Sequence, residues 1–412
     1  MATLYLTADR IFDATGTHGD RNTTLRIVDG QIDGIGGDSL LPPSLGDAEH
    51  HAFPGATIIP GLIDTHVHLV FSALATNEAI IEQVTRESDE QLLERALANA
   101  RAALRSGITT VRDCGGRGRI IQGVRDRIRR GQAEGPDVLS CGAPITTRTG
   151  HCHWLGLTAD TRDEVRRAAE RMLAEDADFL KVMATGGNMT PSSDPMTPQY
   201  DPETLCLIAD LGRRAGKHTA AHVLSRSALP GAVLARVRTI EHCDWRGEEN
   251  RYEFEPNLAQ RMLDQQQYVG LTMSGIARRA FLPEVRQNTT GPVRRLDARF
   301  AAERRLIDSG VRYTLHSDAG VRLTPIDRFA LGLRAAVIEL HLTPAEVLRA
   351  ATATAAEAIG LADRGQLVPG KRADLLVVEG NPLADLACLE RVWGVFKAGV
   401  SVDLSREPAP TV

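Results

Sequence analysis

Short apolar runs alternate with amphipathic stretches through most of the chain, a rhythm that predicts repeated β-α units around a parallel sheet. Eight runs carry it, at residues 58–69, 109–113, 138–142, 179–184, 218–223, 238–242, 268–273 and 311–315. Helical patterns fall between them at 89–105, 161–175, 202–215 and 297–309, the last two opening on acidic residues. Eight such units are the number that closes a (β/α)8 TIM barrel. A further helix is predicted over 343–359, where Thr-Pro-Ala-Glu supplies the proline and the acid of a helix start.

The two ends read differently. Residues 3–58 show short β-prone runs, such as 25–28 and 31–35, broken by Gly, Asp and Pro. After the turn-rich stretch 365–370, strands are predicted at 374–378, 392–397 and 400–404. The expected fold class is therefore α/β: a (β/α)8 TIM barrel at 60–362, with a small β-sandwich domain built from both chain ends, 1–59 and 363–412. The segment 283–295, rich in Arg, Pro and Gly, is expected to be a long loop or lid after the seventh strand.

Composition narrows the function more than the fold. A chain of 412 residues that is 42% hydrophobic and 25% charged can bury a sizeable core. Its net charge of −5 leaves no broad cationic surface for phosphates, so a small-molecule substrate is expected and nucleic acid is not. Residues 1–12 lack a basic start and a continuous apolar run, and no stretch reaches membrane-spanning length. Six cysteines, Cys114, Cys141, Cys152, Cys206, Cys243 and Cys388, lack C-x-x-C spacing and read as reduced packing residues of a cytoplasmic protein.

The stretch Pro60-Gly61-Leu62-Ile63-Asp64-Thr65-His66-Val67-His68 carries the first chemical signal. Alternate residues of a strand point the same way, so His66 and His68 form a chelating pair for a borderline cation. His222 closes the fifth run, His242 the sixth, and Asp318 follows the eighth, all at strand ends where barrel active sites gather. Lys181 lies in a run otherwise suited to a buried strand, where a charged amine is costly. Two readings of it stay open from the residues alone. It is either a salt-bridged or snorkelling side chain, or an amine that adds carbon dioxide to become a carbamate whose two oxygens bridge a pair of cations.

Taken together these residues resemble the amidohydrolase superfamily, from the small β domain through Pro60 to Asp318 and into Gly370-Lys371-Arg372-Ala373-Asp374-Leu375. The resemblance implies a binuclear set of His66, His68, Lys181, His222, His242 and Asp318. Two divalent metal ions, expected to be zinc, would be bridged by carboxylated Lys181, with Asp318 as the catalytic proton shuttle. Met183-Ala184-Thr185-Gly186-Gly187 and His151-Cys152-His153 resemble the branch of imidazolonepropionase-like proteins, Xaa-Pro and Xaa-Arg dipeptidases, and hydrolases of amide mycotoxins, phenylureas and carbamates.

There are departures. Where the dipeptidases place a tyrosine two residues after the fifth-strand histidine, this chain has Leu224; where deaminases place a glutamate at the third, it has Ser225. Mononuclear deamination is thereby disfavoured. His151 and His153 are candidates to hold substrate or an oxyanion, set against a reading as loop histidines without a role. Tyr200 is a candidate to line the pocket and replace the missing phenol. His316 reads as a hydrogen-bonding support to the ligands, and Arg278, Arg279, Arg286, Arg294 and Arg295 as a solvated face or an oligomer contact.

The expected reaction is hydrolysis of an amide-type C–N bond, in an N-acyl amino acid, dipeptide or related amide, by a hydroxide bridging two cations. Trp154 and Leu224 favour an alternative with an aryl urea, carbamate or cyclic amide as substrate. A non-catalytic scaffold is the remaining reading. The assembly expected is a homo-oligomer away from membranes.

Overall fold

Strand-forming residues from the two chain ends meet in one sheet. The computed structural model describes residues 2–18, 22–273 and 292–405. Strands β1 (Thr3–Phe12), β2 (Thr17–His18), β3 (Thr23–Val28), β4 (Gln31–Gly36) and β5 (Glu49–Pro60) come from the N-terminal part. Far along the chain β14 (Leu375–Glu379), β15 (Val392–Lys397) and β16 (Val400–Ser401) join them. The order is β16-β15-β14-β5-β1-β3-β4, with β2 beside β1. β5 runs parallel to β1, Tyr5 opposite His50, and antiparallel to β14, Ile59 opposite Leu376. Leu6, Ile11 and Leu25 bury together with Leu375, Val377 and Phe396 in a core of their own, so neither end can shield its apolar face without the other.

Two further sheets are wholly parallel. β6 (Leu62–Val67), β7 (Ile108–Asp113) and β8 (Asp137–Ser140) form one. The second runs β13-β12-β11-β10-β9, from β9 (Phe179–Met183) through β10 (His218–His222), β11 (Thr239–Glu241) and β12 (Tyr268–Thr272) to β13 (Arg312–His316). Isolated parallel bridges, Ile145 with Val182 and Val67 with Ala319, join the two sheets. The strands are buried along nearly their whole length, as parallel sheets covered by helices are.

The helices follow from capping and spacing. The helix Asp89–Arg105 starts on a reciprocal Ser88–Gln91 capping box and buries Leu92, Ala96, Ala100 and Ala103 at helical spacing. Burying each leucine-sized side chain contributes roughly 1.5–3 kcal/mol. The helix Arg162–Ala174 opens on the same device, Thr161 with Glu164. Among the described residues no helix is long and apolar enough to cross a membrane.

Three expectations need correction. The run 58–69 is two strands, because Pro60 offers no N–H to continue a ladder and the chain turns at Gly61. A Cβ on Gly61 would lie 2.3 Å from Thr109 Oγ1, so only glycine permits the approach. The helix expected over 343–359 is two, Pro344–Ala350 and Ala353–Ala358. Ile63 N–H donates to the Ala351 carbonyl at 2.8 Å, which draws that carbonyl out of the helical ladder, and Thr352 leaves helical backbone at φ −138°, ψ −90°. Helix Pro292–Asp308 begins inside the expected loop 283–295. The rest of that loop, including Arg286, lies outside the described residues, as do Arg278 and Arg279 before it and the side chains of Arg294 and Arg295.

Asp137, which opens β8, links the parallel layer to the terminal sheet. Its Oδ2 accepts from Arg364 and Arg372, each at 2.6 Å, and its Oδ1 pairs with Lys397 at 2.9 Å. Burial alone would raise this carboxyl, but Arg372, Lys397 and Arg364 hold it well below the usual carboxylate range. A depressed native pKa stabilises the fold above the unfolded value of about 3.9 and loses that contribution as pH falls toward the native one. Asp137→Asn is expected to cost roughly 2–3 kcal/mol at pH 7, less than a fully buried pair because the group is partly solvated. Denaturant unfolding should show a smaller deficit at pH 3 than at pH 7; equal deficits would reject the charge-pairing account.

Candidate active site

The ends of the parallel strands bring the predicted side chains together. His66 on β6 and His68 just beyond it project to one side, as alternation requires. Asp318 lies two residues past β13, its N–H donating to the His66 carbonyl at 2.9 Å and its backbone left-handed at φ 55°. The Asp318 Oδ1 is 3.6 Å from His66 Nε2 and 3.3 Å from His68 Nε2. His242 follows β11, where left-handed backbone at His242 (φ 65°) and Cys243 (φ 46°) ends the strand. Consecutive non-glycine residues in that region store strain of the kind found at functional sites. Ring centroids chain the histidines: His66 to His242 at 5.1 Å, His242 to His222 at 4.6 Å, and His222 to His151 at 4.7 Å.

Groups behind the imidazoles set their chemistry. Glu241, fully buried, places Oε2 3.0 Å from His66 Nδ1, while its Oε1 accepts from Arg112 Nη2 at 2.6 Å. Burial pushes the Glu241 carboxyl up, but Arg112 and Lys181 outweigh it and hold the group at about 2. An ionised carboxylate only accepts, so the His66 proton sits on Nδ1 and Nε2 turns a lone pair toward Asp318. His68 Nδ1 lies 3.0 Å from the Gly115 carbonyl and His242 Nδ1 2.5 Å from Thr272 Oγ1. Burial lowers His66, His222 and His242 well below the usual imidazole value, favouring the neutral ligand form. His316 is buried behind them, its Nε2 3.2 Å from Thr272 Oγ1 and 3.8 Å from Glu241 Oε2.

Sequence reasoning did not single out Glu241, Arg112 or Asp64. Asp64 Oδ1 accepts the Ser317 N–H at 3.1 Å and Oδ2 the Ser317 hydroxyl, which positions the turn carrying Asp318. Burial pushes the Asp64 carboxyl up to about 7, against the pull of those bonds. Asp64 stood inside the nine-residue stretch and Glu241 beside His242, so acids at strand ends next to candidate ligands were the available signal.

A cavity of about 290 Å³ opens on this cluster, lined by His66, His68, His151, Lys181, His222, His242 and Asp318. Two lining atoms, Lys181 Nζ and His151 Nδ1, are buried without a hydrogen-bond partner among the described residues. The structure does not bring Tyr200, His153 or Trp154 to the cavity. Tyr200 donates its hydroxyl to the Ala159 carbonyl at 2.7 Å beneath a neighbouring loop. His153 turns its Nδ1 to the Gly150 carbonyl at 3.0 Å, and Trp154 donates to Thr190 Oγ1 while packing on Phe71. Each has a polar atom engaged in holding a loop. Leu224 does line the cavity.

The donor set suits a metal. His66, His68 and Asp318 present ligand atoms within 4.8 Å of one another, and a neutral imidazole lone pair facing a carboxylate oxygen is stable around a cation. A second such group, His66, Cys114 and Glu241, is already engaged through the His66–Glu241 bond and the Arg112 ion pair. A sequence model for the amidohydrolase family matches residues 57–402. The chain belongs to the amidohydrolase family. This amidohydrolase is 27% identical to an ochratoxinase of Aspergillus niger over 415 aligned residues, covering 92% of this chain and 82% of the relative. It is 25% identical to an imidazolonepropionase of Paracoccus denitrificans, covering 88% and 89%. The crystal structure of the A. niger ochratoxinase superposes with a TM-score of 0.82 at 26% identity, covering 97% of this chain and 95% of that one. A Xaa-Pro dipeptidase with methionine bound in its active site gives 0.83 at 22% identity, covering 98% and 100%, a likeness of fold.

Glu241→Gln is the sharpest test of the supporting layer. Glutamine keeps the shape but removes the charge that holds the His66 tautomer and balances Arg112. Divalent-cation affinity of this amidohydrolase is expected to fall roughly 10–100-fold, measured by competition with a chromogenic chelator; wild-type affinity in the variant would refute the role.

Proposed function

We propose that this amidohydrolase cleaves an amide-type C–N bond with two divalent cations, zinc being the expected metal, held by His66, His68, Lys181, His222, His242 and Asp318. The observation that carries the reading is the convergence of four imidazoles, Lys181 and Asp318 on one cavity. Its finer architecture is a closed (β/α)8 barrel over 60–362, supported by the bridges that join its two parallel sheets, and a terminal β-sandwich from 1–59 and 363–412, supported by that sheet's separate core. The 27% and 25% identical relatives, an ochratoxinase and an imidazolonepropionase, support a hydrolase of this kind.

Lys181 is the residue that decides between one cation and two. A buried ammonium facing neutral imidazoles would repel a cation, and its Nζ finds no acceptor among the described residues. Attack of the neutral amine on carbon dioxide forms an N–C bond, releases one proton, and turns the group into an anion with two oxygen donors. When bound, the cations polarise a substrate carbonyl and lower the pKa of water from 15.7 toward about 7.

The chain's own groups do the rest. The Asp318 carboxylate takes a proton from the attacking water and returns it to the leaving nitrogen. His151, pushed down to about 3 by burial, stays neutral and offers an N–H to the developing oxyanion. The apolar wall of Met183, Met189 and Leu224 also admits the second reading, an aryl urea or carbamate.

Asp318→Asn should reduce turnover at least about 10³-fold while metal analysis still finds nearly wild-type content; normal turnover would exclude the proton role. Loading apo-enzyme in carbon dioxide-free buffer should yield less bound metal than loading with bicarbonate. Equal loading would remove the carbamate.

A further inference from the structure

The cavity is unevenly charged, and the asymmetry selects a substrate. Arg299 and Arg322 both line it. Arg299 is already neutralised: its Nε donates to Glu303 at 2.7 Å and its Nη2 to the Thr272 carbonyl at 3.1 Å. Arg322 has no carboxylate partner among the described residues. Its backbone, by contrast, is fixed. The turn that carries it is locked by Gly320 N–H to Thr324 O at 2.9 Å and Leu323 N–H to Ala73 O at 3.1 Å. At Gly320 (φ 97°) a Cβ would lie 2.3 Å from the His68 carbonyl oxygen, so the turn sits directly on the strand that bears the histidine pair. An exposed cation on so fixed a frame, four residues beyond Asp318, is placed to meet an anion on the substrate.

The converse holds for positive charge. Asp318 is the sole acid among the described lining residues, and it faces His66 and His68. At the end of β9 and on the loops after β9 and β10 the lining is Met183, Met189 and Leu224, with Asn188 as an uncharged polar neighbour, so a substrate ammonium would lose water there and meet no carboxylate.

Resting on the hydrolase reading above, we infer that the substrate is an N-acyl amino acid with a blocked amino end, its free carboxylate received by Arg322 and its apolar acyl group by Met183, Met189 and Leu224. Neutral ureas and carbamates leave Arg322 without a partner. Free dipeptides put a charge against the apolar wall.

The test compares an N-benzoyl amino acid, its carboxamide and the matching free dipeptide on metal-loaded wild type, Arg322→Met and Arg322→Lys. Wild type should favour the acid over the carboxamide roughly 10–100-fold in kcat/KM, with the dipeptide below the acid. Arg322→Met should raise KM for the acid by a similar factor, bringing the acid-to-carboxamide ratio near 1, and Arg322→Lys should restore part of it. An unchanged ratio in Arg322→Met, or a dipeptide preferred to the N-benzoyl acid, overturns the inference. If wild type turns over none of the three, the hydrolase reading fails separately, and calorimetric titration of the N-benzoyl amino acid decides the carboxylate site: binding lost in Arg322→Met supports it, whereas equal or absent binding in both proteins overturns it.

Discussion

The buried Glu241 carboxylate is the point on which the site turns. It lies between a guanidinium, Arg112, and an imidazole, His66, at 2.6 and 3.0 Å. Without Arg112 the interior would favour the protonated acid, which would compete with His66 for the role of donor. Ionised, Glu241 forces the His66 proton onto Nδ1 and points the Nε2 lone pair into the cavity. One ion pair with no access to solvent thereby sets which nitrogen on the opposite side of the ring is free to accept.

Backbone does comparable work around Asp318 and His242. Both adopt left-handed φ angles that side-chain-bearing residues avoid. The cost is met by specific bonds: Ser317 to Asp64, the Asp318 N–H to the His66 carbonyl, and His242 to Thr272. Strand ends are the place for such distortion, because the ladder has stopped and side chains can be aimed without breaking paired hydrogen bonds. The terminal sheet stays clear of this chemistry. It leads into the first parallel strand at Gly61, whose N–H donates to the Asp374 carbonyl at 2.9 Å, and holds Asp137 through a cluster of cations.

Each of the eight apolar runs overlaps a strand of the two parallel sheets, and the helix Asp89–Arg105 has the expected bounds. These elements were legible because burial on both faces demands continuous apolar runs, and because caps are local chemistry. The break at Thr352 was not legible, since it answers a contact with a residue distant in sequence, Ile63, whereas the division before Gly61 was marked locally by Pro60 and the reading as one run passed over it.

The same boundary runs through the site. Residue type and position relative to strand ends were enough to nominate His66, His68, His222, His242 and Asp318, because ligand chemistry and the direction of strand side chains are properties of the local chain; for Lys181 they left two readings open, and only the family resemblance chose between them. Local pattern could not show that the Tyr200 hydroxyl bonds the Ala159 carbonyl and His153 Nδ1 the Gly150 carbonyl, both away from the described lining of the cavity. It was silent on Glu241 paired with Arg112, and on Arg322 at the cavity rim. Whether a polar group is spent on a neighbour or left for a ligand depends on atoms brought close by folding, and only the tertiary structure decides that.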